Sequence, residues 1–453
     1  MKESEPIEGR WHIFGIDRTP HYGKLFLDAK TGLRLEVKVA EARTEIEFLD
    51  SLSRRLGETT QIIQGFDRFN MPLRLFDCVD EGEESALGLR TIIYSVQRAV
   101  RGINDGDWAS ISSRGFKMGF SILNCWMHPT GPPLRMEQWN PPMKHVIADL
   151  FTFFIDVSIT MKSDGARSGL WWVGMVFDEK IQVAKVCQKY RQHFALLLVL
   201  ITGQRIALDE FSFGIFDDRG GWHDEREVLE AMGDDGIITR KQLPVYMRTL
   251  HADVIQSLPS ILEKWFGLIS DPDMKQVVNL YRAVKIHNLF ISAEFLLIAQ
   301  ALEAYHTASR KYSSTKWDSG EFKSMLKRVR HAISVDDRKK LSDCFSHANN
   351  KSFQDKLLDI LNDAPVQVNG VIKDRTHFAK SVKDNRNAHT HHVGKQSHSR
   401  RLNDYYLASL ADEALVLLEM LLLRDVGAPE KAFLQIVREH TSKIRIKINS
   451  HDD

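Results

Sequence analysis

The sequence predicts an α+β protein, in which a β-rich N-terminal domain, sandwich or barrel-like, is followed by an all-α helical bundle. Three observations predict it. Short runs in which apolar and polar residues alternate recur through the first half of the chain, as far as Ile215. The period lengthens once near Lys180, and from about Leu243 it becomes helical and stays so. The length of 453 residues accommodates two or three folding units, each able to bury a full core. The expected boundaries are 1–242 for the β-rich domain, 243–270 for a helical connector and 271–442 for the helical domain.

The strands are justified by period two. Leu33, Leu35, Val37 and Val39 alternate with Arg34, Glu36 and Lys38, the mark of a strand with one buried face. A partner strand is expected at 23–27, with Lys30-Thr31-Gly32 as the hairpin turn between them. Further strands are expected at 61–65, 73–79, 90–94, 116–123 and 151–159. Trp11, Trp108, Trp126, Trp139, Trp171 and Trp172 all fall in this region, where tryptophans are more often core or turn packing than a recognition face. Residues 181–201 have the length and composition of a largely buried helix, stopped by Thr202-Gly203, after which Phe211, Phe213 and Ile215 alternate once more.

The helices follow. A segment over 251–269 is expected to be kinked or divided by Pro259, and Pro272 suits the first turn of the next helix, towards Lys285. A long amphipathic helix over 288–310 is expected to bury Phe290, Ala293, Leu297, Ala301 and Ala304. Others are expected at 320–333, 336–346, 353–361, 371–384 and 402–424.

Composition narrows the classes. A net charge of +1 gives the whole chain no electrostatic commitment to nucleic acid or to a membrane, so any basic site must be local. Cys78, Cys125, Cys187 and Cys344 show no Cys-x-x-Cys spacing and are expected as buried thiols in a reducing cytoplasm. The polar N-terminus has no signal-peptide core, and the greasiest run, 194–201, is far short of the roughly 20 residues a membrane span needs. A cytoplasmic protein without membrane contact is expected.

One stretch carries chemistry. Arg386-Asn387-Ala388-His389-Thr390-His391 sets a permanent cation and a polar amide ahead of an imidazole, whose ordinary pKa of about 6.5 allows proton transfer near neutrality. Arginine offers a fixed fork of donors suited to a phosphate or phosphorane. Lys380, Lys383, Lys395, Arg400 and Arg401 make the surroundings basic, with Lys383, Lys395, Arg400 and Arg401 as candidate substrate-binding residues. A merely solvated basic loop competes with this reading. A metal site over His389-Thr390-His391-His392 fits less well, since no cysteine or well-spaced carboxylate completes a zinc pattern, and no metal or other cofactor is expected. The motif is expected between two helical segments, after 378–383 and before Leu402, and on an unbroken α-helix Arg386 and His391, five apart, would lie about 140° apart around the axis and share no face. A distorted turn or a second copy across a two-fold axis is then needed.

The helical part, with Phe295-Leu296-Leu297-Ile298-Ala299-Gln300-Ala301-Leu302-Glu303-Ala304-Tyr305-His306 early and the 386–391 motif late, resembles HEPN ribonuclease domains. Within these it is most similar to the ApeA-like family of bacterial anti-phage abortive-infection proteins. Gly9-Arg10-Trp11, Gly23-Lys24-Leu25, Ile63-Gln64-Gly65 and the Trp139 region resemble the ApeA N-terminal domain. The resemblance implies a metal-independent endoribonuclease acting at the interface of a homodimer or higher even oligomer, and leaving 2′,3′-cyclic phosphate and 5′-hydroxyl ends. It implies proton transfer by His391, phosphorane stabilisation by Arg386 and orientation by Asn387, with His389 in support. Glu303 matches an acidic position on the family's early helix, as a buttress for Arg386 or as an ordinary exposed carboxylate. The implied partners are RNA, whether tRNA, mRNA or rRNA, and a phage-derived trigger sensed by the β-rich domain. The competing expectations are a non-catalytic dimerisation or RNA-binding module, and a HEPN toxin silenced by a nucleotidyltransferase antitoxin.

Overall fold

The computed structural model describes residues 6–13, 20–28, 32–40, 61–86, 89–103, 106–120, 122–123, 126, 143–147, 151–161, 167–204, 208–216, 222–230, 247–249, 251–254, 256–287, 289–334, 337–338, 345, 348–390 and 403–449. The chain divides into two compact units, one of Met1–Val199, Gln204–Val245 and Leu250–Ala252, the other of Leu200–Gly203, Tyr246–Thr249 and Asp253–Asp453.

The first unit is β-rich. Strands β1 (Ile7–His12), β2 (His21–Asp28), β3 (Gly32–Ala40), β4 (Gln61–Asp67), β5 (Pro72–Ala86) and β6 (Leu89–Arg101) pair antiparallel in the order β3-β2-β1-β4-β5-β6, and β3 pairs back onto β6 to close a six-stranded barrel. Closure leaves these strands no free edge in the ring. The alternation in β3 points Leu33, Leu35, Val37 and Val39 inward, where they meet Leu25, Ile63, Leu73, Leu75, Ile92 and Tyr94 around fully buried Trp11. Two glycines make room for that indole. A Cβ on Gly23 would stand 2.8 Å from Cδ1 of Trp11, and one on Gly65 would overlap the ring.

Beyond β6 the sheet continues through β7 (Ser112–Phe120), β8 (Met143–Ile147), β9 (Phe151–Met161), β10 (Arg167–Gln182), β11 (Leu208–Phe216) and β12 (Trp222–Glu230), in the order β12-β11-β7-β10-β9-β8. A π-helical segment, Val186–Arg191, leads into helix α1 (Gln192–Thr202). Phe194 of α1 packs 5.8 Å from Phe120 and 5.5 Å from Phe153, centroid to centroid, so one face of the sheet is covered. Helix therefore starts two residues later than expected, because β10 runs on to Gln182. β1, β8, β10 and β12 were not among the expected strands. Trp11, Trp126 and Trp172 are core residues, and Trp108 is half-buried under the Arg98 guanidinium. Trp139 lies outside the described residues. Cys78 and Cys187 are buried; Cys125 and Cys344 lie outside the described residues.

The second unit is helical. After a short turn at His251–Val254 come α2 (Leu258–Ser270), α3 (Pro272–Ile286), α4 (Ile291–Ala308), α5 (Ser319–Ala332), α6 (Phe353–Asp363), α7 (Arg375–Thr390), α8 (Asp404–Asp425) and α9 (Glu430–Asn449). Pro259 divides the first segment by opening α2, and Pro272 opens α3 beneath the side-chain cap of Asp271. Asp318 and Asn403 cap α5 and α8, while Ser352 and Asp355 form a capping box on α6. α8 is the apolar centre, with Leu410, Ala414, Leu417, Leu418, Leu421 and Leu422 buried. Among the described residues no helix is long and apolar enough to cross a membrane.

Two helical expectations are corrected. The buried stripe of α4 is Phe295, Ile298, Ala299, Ala301, Leu302 and Tyr305; Phe290 is 87% exposed, and Ala293, Leu297 and Ala304 are only half-buried. The helix carries two overlapping apolar stripes, and the one with the larger side chains faces the core. The helix expected over 371–384 begins at Arg375, after the 3₁₀ turn Val366–Gly370, and continues to Thr390. Most of the helix expected over 336–346 lies outside the described residues. α9 was not expected as a helix.

Candidate active site

The extension of α7 to Thr390 decides the local geometry of the motif. Phe378, Ala379, Val382, Asn385 and Ala388 form its buried face, so Arg386 emerges at the edge of that face and Asn387 lies one step further round, exposed. Arg386 to Thr390 thus form the last turn of a helix rather than a loop between helices, and the Thr390 hydroxyl donates back to the Arg386 carbonyl at 2.9 Å. The buried amide beside the arginine is Asn385, which donates to the Ser381 carbonyl at 2.9 Å.

Arg386 is held on two sides. Its Nη2 donates to Oε2 of Glu303 on α4 at 2.7 Å, and its guanidinium lies over the Phe353 ring of α6, 5.0 Å from the centroid. The other carboxylate oxygen of Glu303 accepts from Nζ of Lys356, also on α6, at 3.1 Å. The side chains of Arg386, Glu303 and Lys356 are 32%, 27% and 18% exposed, so the cluster is partly shielded yet open to solvent. Lys383 sits nearby, with Nζ 3.4 Å from Oε1 of Gln354 and 3.5 Å from Oδ1 of Asp384. His389 is half-buried, its ring 6.4 Å from that of Phe295.

One helical turn further along α4 and α6 a second polar rung repeats the pattern. His306 Nε2 lies 2.8 Å from Oδ2 of Asp359, which also accepts from Lys351 Nζ at 2.6 Å, and the imidazole stacks on Tyr312. Burial lowers the His306 pKa against the opposing pull of Asp359, so the ring is neutral near pH 7 and its Nε2–H donates to the carboxylate. Burial raises the Asp359 carboxyl, but Lys351 and His306 outweigh it and hold it below its ordinary value. Among the described residues no group of three or more His, Cys, Asp or Glu is arranged to hold a metal ion.

Of the residues singled out by sequence, the structure brings Arg386 and Glu303 into direct contact and sets Lys383 and His389 on the same helix end, with Asn387 facing outward. His391, Lys395, Arg400 and Arg401 lie outside the described residues. Sequence reading missed Phe353 and Lys356. The capping box marks where α6 starts, but nothing local says that its first turn faces Arg386.

A permanent cation is here seated on an aromatic ring and tied to one carboxylate, with a lysine on the same carboxylate, in a helical domain. Part of that domain matches a HEPN family model. More particularly, residues 296–432 match the model of the Apea-like HEPN family. The matched span runs from within α4 to the start of α9 and includes Glu303, Phe353, Lys356 and the whole 386–391 motif; it does not reach the β-rich unit. No curated protein and no solved structure matches the chain.

Proposed function

We propose that the protein is an anti-phage ribonuclease that halts infected cells by cutting their RNA without a metal. The observation that carries the reading is the Arg386–Glu303 ion pair in a domain that matches Apea-like HEPN. In the proposed reaction the ribose 2′-oxygen attacks the adjacent phosphorus and loses its proton to a base, the bond from phosphorus to the 5′-oxygen breaks, and that oxygen takes up a proton. The products are a 2′,3′-cyclic phosphate and a 5′-hydroxyl. Arg386 neutralises the phosphorane, His391 transfers protons, Asn387 orients the phosphate or the imidazole, and His389 supports. Lys383, Lys395, Arg400 and Arg401 bind the flanking phosphates. Electrostatic stabilisation of this kind is often the largest catalytic contribution.

A homodimer would supply the second imidazole that acid and base roles require together. The β-rich unit acts as an ApeA-type N-terminal domain that senses a phage-derived trigger, and the protein works in the cytoplasm. Expression of the parent should be toxic and leave cyclic-phosphate RNA ends. Arg386→Ala and His391→Ala should abolish both while the protein stays folded. Equal toxicity of all three proteins would sink the assignment, and RNA binding without new ends would leave a non-catalytic module.

A further inference from the structure

We infer that Lys356 is a second phosphate-binding cation of the Arg386 site and that Phe353 is the residue that positions Arg386, an inference that rests on the ribonuclease reading. The two polar rungs between α4 and α6 differ in charge. At the inner rung Asp359 is met by one lysine, Lys351, and by a histidine that burial keeps neutral, so the charges cancel. At the outer rung one carboxylate, Glu303, is met by two permanent cations, Arg386 at 2.7 Å and Lys356 at 3.1 Å. A surplus positive charge stands there. A lysine placed only to neutralise Glu303 would be redundant, since Arg386 already does so at shorter distance.

The donors point the same way. Arg386 commits one of its five N–H groups to Glu303, and Lys356 commits one of three. The ring of Phe353 covers one face of the guanidinium and leaves its in-plane edge for a ligand. The two cations sit on the two oxygens of a single carboxylate, a spacing that also suits the two non-bridging oxygens of one phosphodiester. Phe353 and Lys356 both lie in the first turn of α6, fixed by the Ser352–Asp355 capping box, so the pair is presented by a rigid helix start. Glu303 keeps both cations in place between turnovers.

The probe is a fluorescein-labelled single-stranded 2′-O-methyl RNA, which cannot be cleaved because its 2′-oxygen is blocked. Its affinity for the full chain is titrated with salt, alongside cleavage of unmodified RNA. Lys356→Met should flatten the plot of log affinity against log salt by about 0.7, the share of one phosphate contact on a single strand. The same variant should lose about tenfold in kcat/KM, and Lys356→Arg should restore both. Phe353→Leu should lower kcat while leaving KM near the parent value. Lys356→Gln repeats the test if the methionine variant folds poorly. A parental salt slope and kcat/KM in both neutral variants would overturn the role of Lys356, and a parental kcat in Phe353→Leu that of Phe353. If the parent itself cleaves nothing and Arg386→Ala binds RNA as the parent does, the ribonuclease reading falls first and takes this inference with it.

Discussion

Two clusters in the helical unit are wired alike and sealed differently. In each, one glutamate takes an arginine on one oxygen and a lysine on the other. Glu419 takes Arg248 at 2.7 Å and Lys285 at 2.9 Å; Glu303 takes Arg386 at 2.7 Å and Lys356 at 3.1 Å. The Glu419 and Arg248 side chains are 2% and 6% exposed, against 27% and 32% for Glu303 and Arg386. Around Glu419 more donors are engaged, since Arg248 also binds Glu439 at 3.1 Å and the Leu200 carbonyl at 3.2 Å, and Tyr281 adds its hydroxyl to Glu419 at 3.0 Å. Burial pushes the Glu419 carboxyl up, but Arg248 and Lys285 outweigh it and hold it at about 2. The sealed cluster orders the fold. The open one stays within reach of solvent.

The contrast is best broken at its sealed end. Glu419→Ala leaves Arg248 buried without its main counter-charge and should cost about 3–5 kcal/mol of stability in a denaturant titration. A cost under about 1 kcal/mol would mean that the two clusters do not differ in kind. At the open end the expectation reverses. Arg386→Ala should lower RNA cleavage by about 10² to 10³ while changing stability by no more than about 1 kcal/mol. A large loss of stability there would make Arg386 structural.

The pH dependence sharpens the same difference. Because the Glu419 pKa is depressed in the folded state, its contribution is complete above the ordinary carboxylate value of 4.5 and is lost as pH falls towards about 2. His306 is also depressed, so its contribution is complete above its ordinary 6.5 and declines as acid protonates the unfolded chain first. Thermal melts of Glu419→Gln should lose the low-pH limb, and those of a His306→Gln variant the limb below 6.5; parental profiles would refute both assignments. The smallest effect belongs to Glu303→Gln, which should shift stability by less than about 1 kcal/mol. It should bind the uncleavable RNA at least as tightly as the parent, and weaker binding would show that Glu303 does more than hold cations.

How much of this was legible in the sequence follows from how local each signal is. β3 was legible because each of its side chains faces wholly one way or the other. β12 was not, since it runs four charged residues, Asp224 to Glu227, in succession and so shows no alternation there, and only its pairing with β11 and β6 defines it. The α+β order was plain from the change of period, whereas closure of the barrel depends on β3 meeting β6 across some fifty residues that no local pattern links. The Arg386 motif could be found by spacing, and Glu303 as a family position. Their contact spans 83 residues and that of Lys356 with Glu303 spans 53, and the helical state of 386–390 was hidden by a polar composition typical of a loop.

β6 carries a consequence of its own for the first unit. Along one side it is paired with β5 throughout; along the other, β3 takes Leu89–Val96 and β12 takes Arg98–Val100. The ring and the following strands therefore share one backbone, and loss of either partner leaves the part of β6 that it pairs without its acceptors on that side. Amide exchange across both halves of β6 should report one common opening event rather than two, so a disturbance anywhere on the ring is felt by the strands beyond it as a change in the same ladder.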